Sequence, residues 1–430
     1  MSMDFYLETY GCSLNKADSD LMVGRLNAIG LHRTETLNEA SLILVNTCGV
    51  KEPTEDRIIH RLRTLAEIDI PVIIAGCLPC ISLQRIESAI PSYAAILGPQ
   101  SVDSLGKIAE QVLDGKRGIL HLDSDPASKL RFFEGPPNSV ICTIPICEGC
   151  LGHCSYCAVR FARGAVRSYS IDEIYEIVER CTHLGYREVR LTSQDAGVFG
   201  HDTGENLHEL LQSLSRIPGK HRFRLGMFNP NLVIDSIGNL LSAMKSDHFF
   251  KFFHIPLQTG SSELLKKMGR QYTVEQWTEI VHKTRTIFPR ATIATDIIVG
   301  FPGETAFDFR MTEELLRRIK PDVVNISKYG DRPGTEASKS TEKIDSKLKK
   351  SRSRELSRMV SKMIQETNAT WTGWKGHAIA IEKGPKGGVV CRNFAYKSII
   401  LEDPIPLGTE LDVCIDSAER THLVAHRCLD

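Results

Sequence analysis

The stretch V-I-C-T-I-P-I-C-E-G-C-L-G-H-C-S-Y-C, residues 140–157, joins a short apolar run to a dense group of cysteines. The run Val140–Ile146 predicts a buried strand. Among the cysteines that follow, Cys150, Cys154 and Cys157 have the spacing C-x3-C-x2-C. Zinc modules usually place roughly a dozen residues between their cysteine pairs, and the bacterial ferredoxin spacing also differs. Idle core cysteines would not need this density, so we interpret the group as a cluster site.

Three thiolates in this spacing leave one iron of a [4Fe–4S] cluster without a protein ligand. S-adenosylmethionine (SAM) can bind that iron through its amino and carboxylate groups, and an electron from the reduced cluster then cleaves SAM to a 5′-deoxyadenosyl radical. We therefore predict SAM as a cofactor and Cys150, Cys154 and Cys157 as the catalytic cluster ligands. Cys147 forms a C-x2-C pair with Cys150 and is an alternative ligand.

The segment that contains this motif alternates strand and helix patterns about six times, which predicts a parallel βα barrel. A barrel of six units has two fewer than the closed form and would be open along one side. The cysteine motif follows its first strand, at the end where barrel active sites lie. The predicted strands are Val140–Ile146, Glu188–Ser193, Arg222–Met227, Phe252–Leu257, Thr292–Val299 and Val323–Lys328, with helices such as Ile171–His183, Leu207–Leu214 and Phe307–Arg318 between them.

Residues 1–120 also alternate strands and helices, and their short apolar strands predict a doubly wound parallel sheet. The predicted strands are Asp4–Thr9, Ser41–Asn46, Pro71–Ala75 and Tyr93–Leu97; the predicted helices are Asp18–Ile29, Thr54–Ile68, Ser82–Ala89 and Val102–Leu113.

Three further cysteines, Cys12, Cys48 and Cys77, each follow one of these strands. The carboxyl ends of neighbouring strands converge on one crevice in such a sheet. We therefore predict that the three thiols face each other and hold a second iron–sulfur cluster, with Cys80 as a spare ligand. The cysteines expected in the core are Cys142, Cys181, Cys391, Cys414 and Cys428.

A polar stretch, His121–Asn138, is typical of a linker, and we predict a second domain over residues 136–366. Near its end, Lys339–Lys362 contains nine basic and three acidic residues and predicts a solvated helix. This stretch, Arg163 and Arg167 are candidates for phosphate contacts.

The tail, residues 370–430, has five short strand patterns, which predict a small OB-like β-barrel that binds nucleic acid. Basic and aromatic side chains interleave there, which suits contacts to an RNA backbone and its bases. The strands are His377–Glu382, Val389–Arg392, Ser398–Leu401, Leu411–Ile415 and Thr421–Cys428; the candidate side chains are Trp371, Trp374, Lys375, Lys383, Lys386, Arg392, Phe394, Tyr396 and Lys397.

Composition limits the remaining possibilities. The 430 residues include 53 basic and 53 acidic side chains, so the neutral total argues against broad coating of a nucleic acid. The chain has no apolar run long enough to span a membrane, and its first residues do not form a signal peptide, so we expect a cytoplasmic protein without membrane contact. Thirteen cysteines in a reducing compartment indicate metal or redox chemistry and disfavour structural disulfides.

Several motifs resemble the radical-SAM methylthiotransferases over almost the whole chain, and the tail is similar to their TRAM domain. The family motifs are Y-G-C-S-L-N at Tyr10–Asn15, N-T-C at Asn46–Cys48, G-C at Gly76–Cys77 and the C-x3-C-x2-C set. Four further stretches resemble one branch of the family, the archaeal and eukaryotic enzymes that act on N6-threonylcarbamoyladenosine in tRNA. They are E-G-C-L at Glu148–Leu151, F-A-R-G at Phe161–Gly164, S-Y at Ser168–Tyr169 and L-T-S-Q-D at Leu191–Asp195.

The resemblance implies a reaction at carbon 2 of threonylcarbamoyladenosine at position 37, next to the anticodon. One SAM provides the radical, a second provides the methyl group, and sulfur arrives through an auxiliary [4Fe–4S] cluster at Cys12, Cys48 and Cys77. The expected partners are tRNA and an electron donor such as a ferredoxin or flavodoxin, and we expect a monomer. The alternatives are isopentenyladenosine in tRNA, a ribosomal-protein aspartate, or a zinc-containing RNA-binding protein without catalysis.

The family also implies SAM contacts at three turns. Gln258, Thr259 and Gly260 end one strand, although an ordinary turn with Thr259 near a helix N-cap would look the same. Gly300 and Gly303 would let the backbone approach adenosine. Arg332 is a candidate for the SAM carboxylate or a tRNA phosphate, with a surface ion pair as the alternative.

Overall fold

The computed structural model describes residues 3–123, 128–384 and 387–428. Its first part is a six-stranded, all-parallel sheet in the order β2-β1-β3-β4-β5-β6. Every residue of β3, β4 and β5 is buried, as expected for a sheet with helices on both faces. The strands are β1 Asp4–Thr9, β2 His32–Thr34, β3 Leu42–Thr47, β4 Val72–Gly76, β5 Ala95–Leu97 and β6 Ile119–His121.

The doubly wound sheet predicted from the sequence is confirmed, and its helices are α1 Ser13–Asn27, α2 Glu52–Leu65, α3 Pro79–Ala89 and α4 Val102–Leu113. After β1, the chain adds β2 on one side and β3 and the later strands on the other. The strand order therefore reverses between β1 and β3, which creates a crevice at their carboxyl ends. Helix α1 begins five residues before the predicted start at Asp18. Its first turns bury polar side chains, Asn15 and Asp18, so the apolar periodicity does not reveal them.

The second part is an open barrel of six parallel strands. They form two sheets, β7-β10-β11 and β12-β13-β14, which a parallel bridge between Phe223 and Phe249 connects. The predicted six-unit open barrel is therefore confirmed. The strands are β7 Ile141–Pro145, β10 Glu188–Thr192, β11 Arg222–Leu225, β12 Phe252–His254, β13 Thr292–Val299 and β14 Val323–Lys328, and the ribbon β8 Cys147–Glu148 with β9 Arg167–Ser168 follows β7.

Helices surround this barrel and carry clear capping signals. Ser170 caps α6 by accepting from the Glu173 N–H, and Thr273 with Gln276 forms a capping box on α11. The charged stretch forms α13, which buries Leu356 on its apolar side. The helices are α5 Val159–Arg163, α6 Ile171–His183, α7 Leu207–Leu214, α8 Pro230–Val233, α9 Ile237–Ala243, α10 Ser262–Lys267, α11 Val274–Ile287, α12 Ala306–Ile319 and α13 Ser346–Ala369.

The predicted linker packs against both neighbours instead of separating them. Its second half contains a short 3-10 turn, Lys129–Phe132, in which Lys129 and Leu130 are buried. Phe133 is buried beside it, and its carbonyl accepts from Arg180 of α6 at 2.5 Å. Residues 124–127 of this stretch lie outside the described residues. The boundaries 1–120, 136–366 and 370–430 stay predictions.

The tail forms a closed barrel in the order β15-β16-β17-β19-β18, which confirms the predicted small β-barrel. One prediction for its cysteines is wrong: Cys414 and Cys428 are half-buried and form a disulfide, whereas Cys391 lies in the core as expected. The strands are β15 Lys375–Lys383, β16 Val389–Asn393, β17 Ser398–Leu401, β18 Glu410–Ala418 and β19 Leu423–Arg427.

Several predicted RNA contacts of the tail instead attach it to the central barrel. Tyr396 donates to Glu188 at 2.5 Å, and Lys397 is buried and donates to Asp322 at 2.7 Å. Arg392 stacks on the Tyr396 ring, with 4.5 Å between guanidinium carbon and ring centroid. RNA contact is therefore wrong for the buried Lys397 and Trp371. It stays a prediction for Arg392 and Tyr396, which are half-buried, and Trp374 and Phe394 are half-buried against the barrel core. Lys375 and Lys383 are exposed, and Lys386 lies outside the described residues.

Candidate iron–sulfur active site

The three cysteines of the first part come together at the carboxyl ends of β1, β3 and β4. A Cβ atom placed on Gly11 would lie 2.6 Å from the Cβ of Cys48, which shows how closely the first two turns approach. The Asn15 side-chain oxygen is 4.0 Å from the sulfur of Cys12 and 3.6 Å from that of Cys77. Cysteines that are distant in sequence therefore surround one buried amide.

Asn15 holds these turns in place, and the sequence did not single out its side chain. Its amide nitrogen donates to the carbonyls of Tyr10 at 3.1 Å and Thr47 at 2.7 Å. The backbone carbonyl of Asn15 accepts a hydrogen bond from the Asn46 side-chain amide at 2.7 Å. The motif Y-G-C-S-L-N, which ends at this residue, is the signal that could have revealed the role. The close packing also requires Gly76, whose φ is 98° and whose Cβ would lie 2.4 Å from a backbone oxygen.

Arg163, at the end of α5, reaches this site from the central barrel. Its Nε donates to the Cys77 sulfur at 3.2 Å, and its Nη2 donates to Asn15 at 3.0 Å and to Asp18 at 2.5 Å. Its Nη1 donates to Glu148 at 3.1 Å. The side chain is fully buried, so the predicted phosphate contact of Arg163 is wrong. Arg167 lies half-buried in β9, and its phosphate contact stays a prediction.

Lys129 completes a buried charge network with Arg163. Its ammonium group is 2.5 Å from Asp18 and 2.6 Å from Glu148, which also accepts from the Tyr169 hydroxyl at 2.6 Å. Burial alone would raise the pKa of Glu148, but Lys129 and Arg163 outweigh it and lower the pKa to about 2. Two carboxylates thus face two cations, and the network joins the first sheet, the linker and the cysteine loop.

The second cysteine set lies in the loop between β8 and α5. A Cβ on Gly152 would lie 3.2 Å from the Cys150 sulfur and 3.6 Å from that of Cys154, so a side chain there would occupy the space beside both sulfurs. The Gly152 N–H donates to the Cys150 sulfur at 3.2 Å. Ser155 anchors the loop by donating to the carbonyls of Met268 and Lys267. These hydrogen bonds fix the backbone of the loop that carries the three thiols, and Cys157 lies near the end of this loop.

Cys147 and Cys80, the alternative and the spare cluster ligand, lie in different environments. Cys147 is fully buried in β8, and its sulfur faces the carbonyl of Asp195 at 3.7 Å. Cys80 is half-buried at the start of α3, where burial raises the pKa of its thiol and Arg163 acts in the opposite direction. Cys147 therefore packs behind the cysteine loop, and Cys80 lies beside the first set.

A polar cavity opens beside the second set. Asp195 is fully buried in it and accepts from the backbone and side chain of Asn229 at 3.0 and 2.6 Å. Arg270 donates to the Asn229 side chain at 2.6 Å and to Tyr156 at 2.5 Å. Burial raises the pKa of Asp195 in spite of these hydrogen bonds. The cavity is lined by Gly152, Cys154, Asp195, Asn229, Arg270 and Gln271, among others.

The predicted SAM residues do not line this cavity, although all six belong to the described chain. Gln258 lies four residues after the end of β12, in the left-handed region with φ 75°, which is uncommon for a residue other than glycine. Thr259 and Gly260 are both hydrogen-bonded to the Thr312 hydroxyl on α12. The N-cap of α10 is Ser261, whose N–H donates to the Thr259 hydroxyl at 3.3 Å, so the alternative of a turn with Thr259 near a helix N-cap is realised, and SAM contacts at these three residues stay predictions.

The other three predicted SAM residues face the chain's own side chains. A Cβ on Gly300 would meet Lys349 at 2.1 Å, and one on Gly303 would meet Glu342 at 2.3 Å. Arg332 is buried and lies 2.6 Å from Glu55 of α2, so the expected alternative of an ion pair is realised inside the protein and not at its surface. Adenosine and SAM contacts at these three positions stay predictions.

Burial acts against ionisation of the thiols in both sets. It raises the pKa of Cys77 to about 12 and that of Cys150 to about 12, and it also raises the pKa of Cys48 and Cys157. Thiolates are the form that binds metal, so a cation has to compensate for this burial. Iron supplies such a charge, and deprotonation of these thiols would accompany cluster binding.

The donor sets fit iron–sulfur clusters. Among the described residues, no three His, Cys, Asp or Glu side chains are grouped so that they could hold a metal ion. A cubane cluster takes one thiolate for each iron, so its ligands stand around a larger body than a single ion. The first set offers three cysteine thiols from three adjoining turns, and the second offers three from one loop.

Comparison with known proteins first defines the class. Residues 144–316 match the Radical SAM superfamily, and residues 4–98 match a family described as Uncharacterized protein family UPF0004. A solved radical S-adenosylmethionine methyltransferase from Kitasatospora setae, with cobalamin and a [4Fe–4S] cluster bound, superposes with a TM-score of 0.58 at 14% identity, over 79% of this chain and 77% of that one. This likeness shows a shared fold.

Curated relatives then identify the family. The chain is 40% identical over 400 residues to the probable threonylcarbamoyladenosine tRNA methylthiotransferase of Pyrococcus horikoshii, which covers 93% of each protein. It is 34% identical over 361 residues to the threonylcarbamoyladenosine tRNA methylthiotransferase of Homo sapiens, over 82% of this chain and 62% of that one. The chain belongs to the radical-SAM family of threonylcarbamoyladenosine tRNA methylthiotransferases, which confirms the resemblance in the motifs.

No helix of the described ranges is both long and apolar enough to cross a lipid bilayer.

Proposed function

We propose that this protein is a tRNA methylthiotransferase that converts N6-threonylcarbamoyladenosine at position 37, next to the anticodon, into its 2-methylthio derivative. The observation that carries the proposal is the pairing of two cysteine sets, one at the carboxyl ends of β1, β3 and β4 and one in the loop between β8 and α5. Arg163 touches the first set and lies six residues after the last cysteine of the second. A radical enzyme that also inserts sulfur needs two such sites close together.

Cys150, Cys154 and Cys157 would hold the radical-SAM [4Fe–4S] cluster, and the first set, Cys12, Cys48 and Cys77, would hold the auxiliary [4Fe–4S] cluster. When bound, the first cluster and SAM supply a radical able to remove hydrogen from an unactivated carbon, and the second cluster supplies sulfur.

Polar groups beside Cys154 are the contacts that we propose for SAM. Arg270 offers a cationic group and Asn229 an amide for the polar ends of SAM, and buried Asp195 orients Asn229 by accepting two of its hydrogen bonds. The burial of these groups excludes water from the reacting atoms. Gln258, Thr259 and Gly260, with Gly300, Gly303 and Arg332, remain candidates for further contacts.

The proposed partners are tRNA and a small electron donor such as a ferredoxin or flavodoxin. Exposed cations on α13, together with Lys375 and Lys383 of the tail barrel, offer contacts for the tRNA backbone. We propose that the protein works in the cytoplasm as a monomer and has the three domains 1–120, 136–366 and 370–430.

The substrate is tested by mass spectrometry of tRNA nucleosides from strains with and without the gene. The 2-methylthio-threonylcarbamoyladenosine peak should disappear on deletion and return with the wild-type gene, but not with Cys154→Ala or Cys48→Ala. An unchanged peak would refute the substrate. If a methylthiolated isopentenyladenosine disappeared instead, isopentenyladenosine in tRNA would be the substrate.

Iron content tests the two cluster sites. The anaerobically reconstituted protein should bind about eight irons, since each [4Fe–4S] cluster has four. A colourless protein with stoichiometric zinc would favour a non-catalytic RNA-binding role.

A further inference from the structure

Arg163 makes a contact that the cluster-binding role of the cysteines does not explain. Its Nε–H points at the sulfur of Cys77 at 3.2 Å, and both residues are buried. A guanidinium needs carboxylates to compensate its burial, and Asp18 and Glu148 already do so. The additional hydrogen bond to sulfur brings the charge of Arg163 directly to a predicted cluster ligand.

The charge state of Arg163 is secure. A guanidinium is not deprotonated in proteins, and the carboxylates of Asp18 and Glu148 both lie within ion-pair distance of it. The group is therefore a permanent cation. Because Lys129 balances the second carboxylate, the network remains neutral without any contribution from the sulfur.

A cationic donor at a cluster thiolate has a predictable effect. Reduction adds negative charge to the cluster, and hydrogen bonds and positive charge near its sulfurs favour that state. At the other set, the neutral N–H of Gly152 donates to the Cys150 sulfur. The two sites therefore differ in the donor that contacts a sulfur, which is a cation at Cys77 and a neutral N–H at Cys150.

We propose that Arg163 is a positioning residue of the auxiliary cluster, which raises the reduction potential of that cluster through its hydrogen bond to Cys77 and holds the Cys77 turn against the Glu148 loop. The inference rests on the proposed function in one respect, namely that Cys12, Cys48 and Cys77 hold a cluster.

The test isolates the auxiliary cluster in the full-length chain. A parent protein with Cys150→Ser, Cys154→Ser and Cys157→Ser lacks the ligands of the other cluster. Arg163→Gln is added to it, and the cluster is titrated electrochemically with detection by electron paramagnetic resonance. We expect the ratio of reduced to oxidised cluster at a fixed potential to fall about tenfold, which is a shift of about 59 mV for a one-electron couple.

Lys129→Gln is the matched control, because it disturbs the same network but does not touch the sulfur. It removes one positive charge from the same network without a contact to the sulfur, so it should lower the potential by less than Arg163→Gln does. An equal shift in both variants, or no shift in Arg163→Gln with its iron retained, would overturn the proposal.

Arg163→Lys keeps the test decisive if Arg163→Gln loses its cluster. Retention of iron and of the parent potential by the lysine variant would support the role of a cationic donor. Loss of iron from both variants would show a purely structural role and overturn the proposal. A parent that binds no iron would refute the auxiliary cluster itself, which is a distinguishable failure.

Discussion

Cys147 shows how position in the fold separates neighbouring cysteines. It is three residues before Cys150, yet its sulfur is turned to the Asp195 carbonyl inside the barrel wall. The loop that carries the other thiols begins only after β8 ends at Glu148. A ligand role for Cys147 would require its sulfur to leave the Asp195 carbonyl.

This placement gives a test with two serine variants. Cys147→Ser should retain about eight irons and cleave SAM, because a hydroxyl can also face the Asp195 carbonyl. Cys154→Ser should lose about four irons and all 5′-deoxyadenosine formation. Both quantities are measured by iron analysis and chromatography, and SAM cleavage that persists in Cys154→Ser would disprove its assignment.

Asp20 on α1 makes stability depend on pH. Burial raises its pKa to about 7, although Arg33 and Lys16 act in the opposite direction. An unfolded aspartate titrates near pH 3.9, so folding costs more as pH rises from about 4 to about 7. Asp20→Asn removes this cost, and its gain in stability should be about 2 kcal/mol larger at about pH 8 than at about pH 5.5. Urea unfolding measures both values; equal gains would contradict the assignment.

At the scale of elements, α13 is fixed to the loop after β13 by one buried ion pair. Arg352 donates to the Glu304 side chain at 2.6 Å, and Glu304 accepts from the Gly300 N–H at 2.9 Å. The helix that carries the basic stretch is thereby tied to the turn that contains Gly300.

Arg352→Met should destabilise the protein by about 3 kcal/mol, because it leaves the Glu304 carboxylate buried without its cation. The matched control is Arg354→Met, which changes an exposed residue of the same helix and should cost no more than about 0.5 kcal/mol. Denaturant unfolding compares the two. Similar losses would show that the ion pair does not stabilise the helix.

Elements governed by local apolar patterns could be predicted from the sequence. Strands β13 and β14 and helices α4 and α6 have the predicted bounds, since their apolar residues repeat along one segment. Convergence of Cys12, Cys48 and Cys77 was also predictable, because each follows a parallel strand. Arg163, Lys397 and Asn15 were not, because their partners lie in distant segments and a basic or polar residue by itself suggests a surface.

At the scale of the whole molecule, polar and apolar contacts attach the tail barrel to the central barrel near the amino-terminal ends of its strands. Lys397 pairs with Asp322, the residue before β14, and also donates to Asn368 at 3.2 Å. It therefore links the tail to the start of β14 and to the end of α13. Ile379 and Ile381 of β15 pack against Ile141 of the central barrel.

Lys397→Met should loosen this attachment, because Asp322 is left buried without its closest cation. Each 1 kcal/mol lost raises the opened fraction by about fivefold, so proteolysis between α13 and β15 should accelerate by about that factor or more. Lys375→Met, at an exposed position of β15, is the control and should be cleaved like the wild type. Limited proteolysis followed by mass spectrometry gives both rates, and equal rates would contradict the role of Lys397.

The buried network of Asp18, Lys129, Glu148 and Arg163 restricts how this protein can diverge. Its members come from α1, the linker turn, β8 and α5, so no continuous segment contains all four. A genetic exchange that replaced only the first sheet and its helices would replace Asp18 on α1. Arg163 and Lys129 would then face a new residue there, while Glu148 would be unchanged. The sheet and the barrel are therefore expected to be inherited together, and crossovers between them to be tolerated only where the incoming gene carries the same four residues.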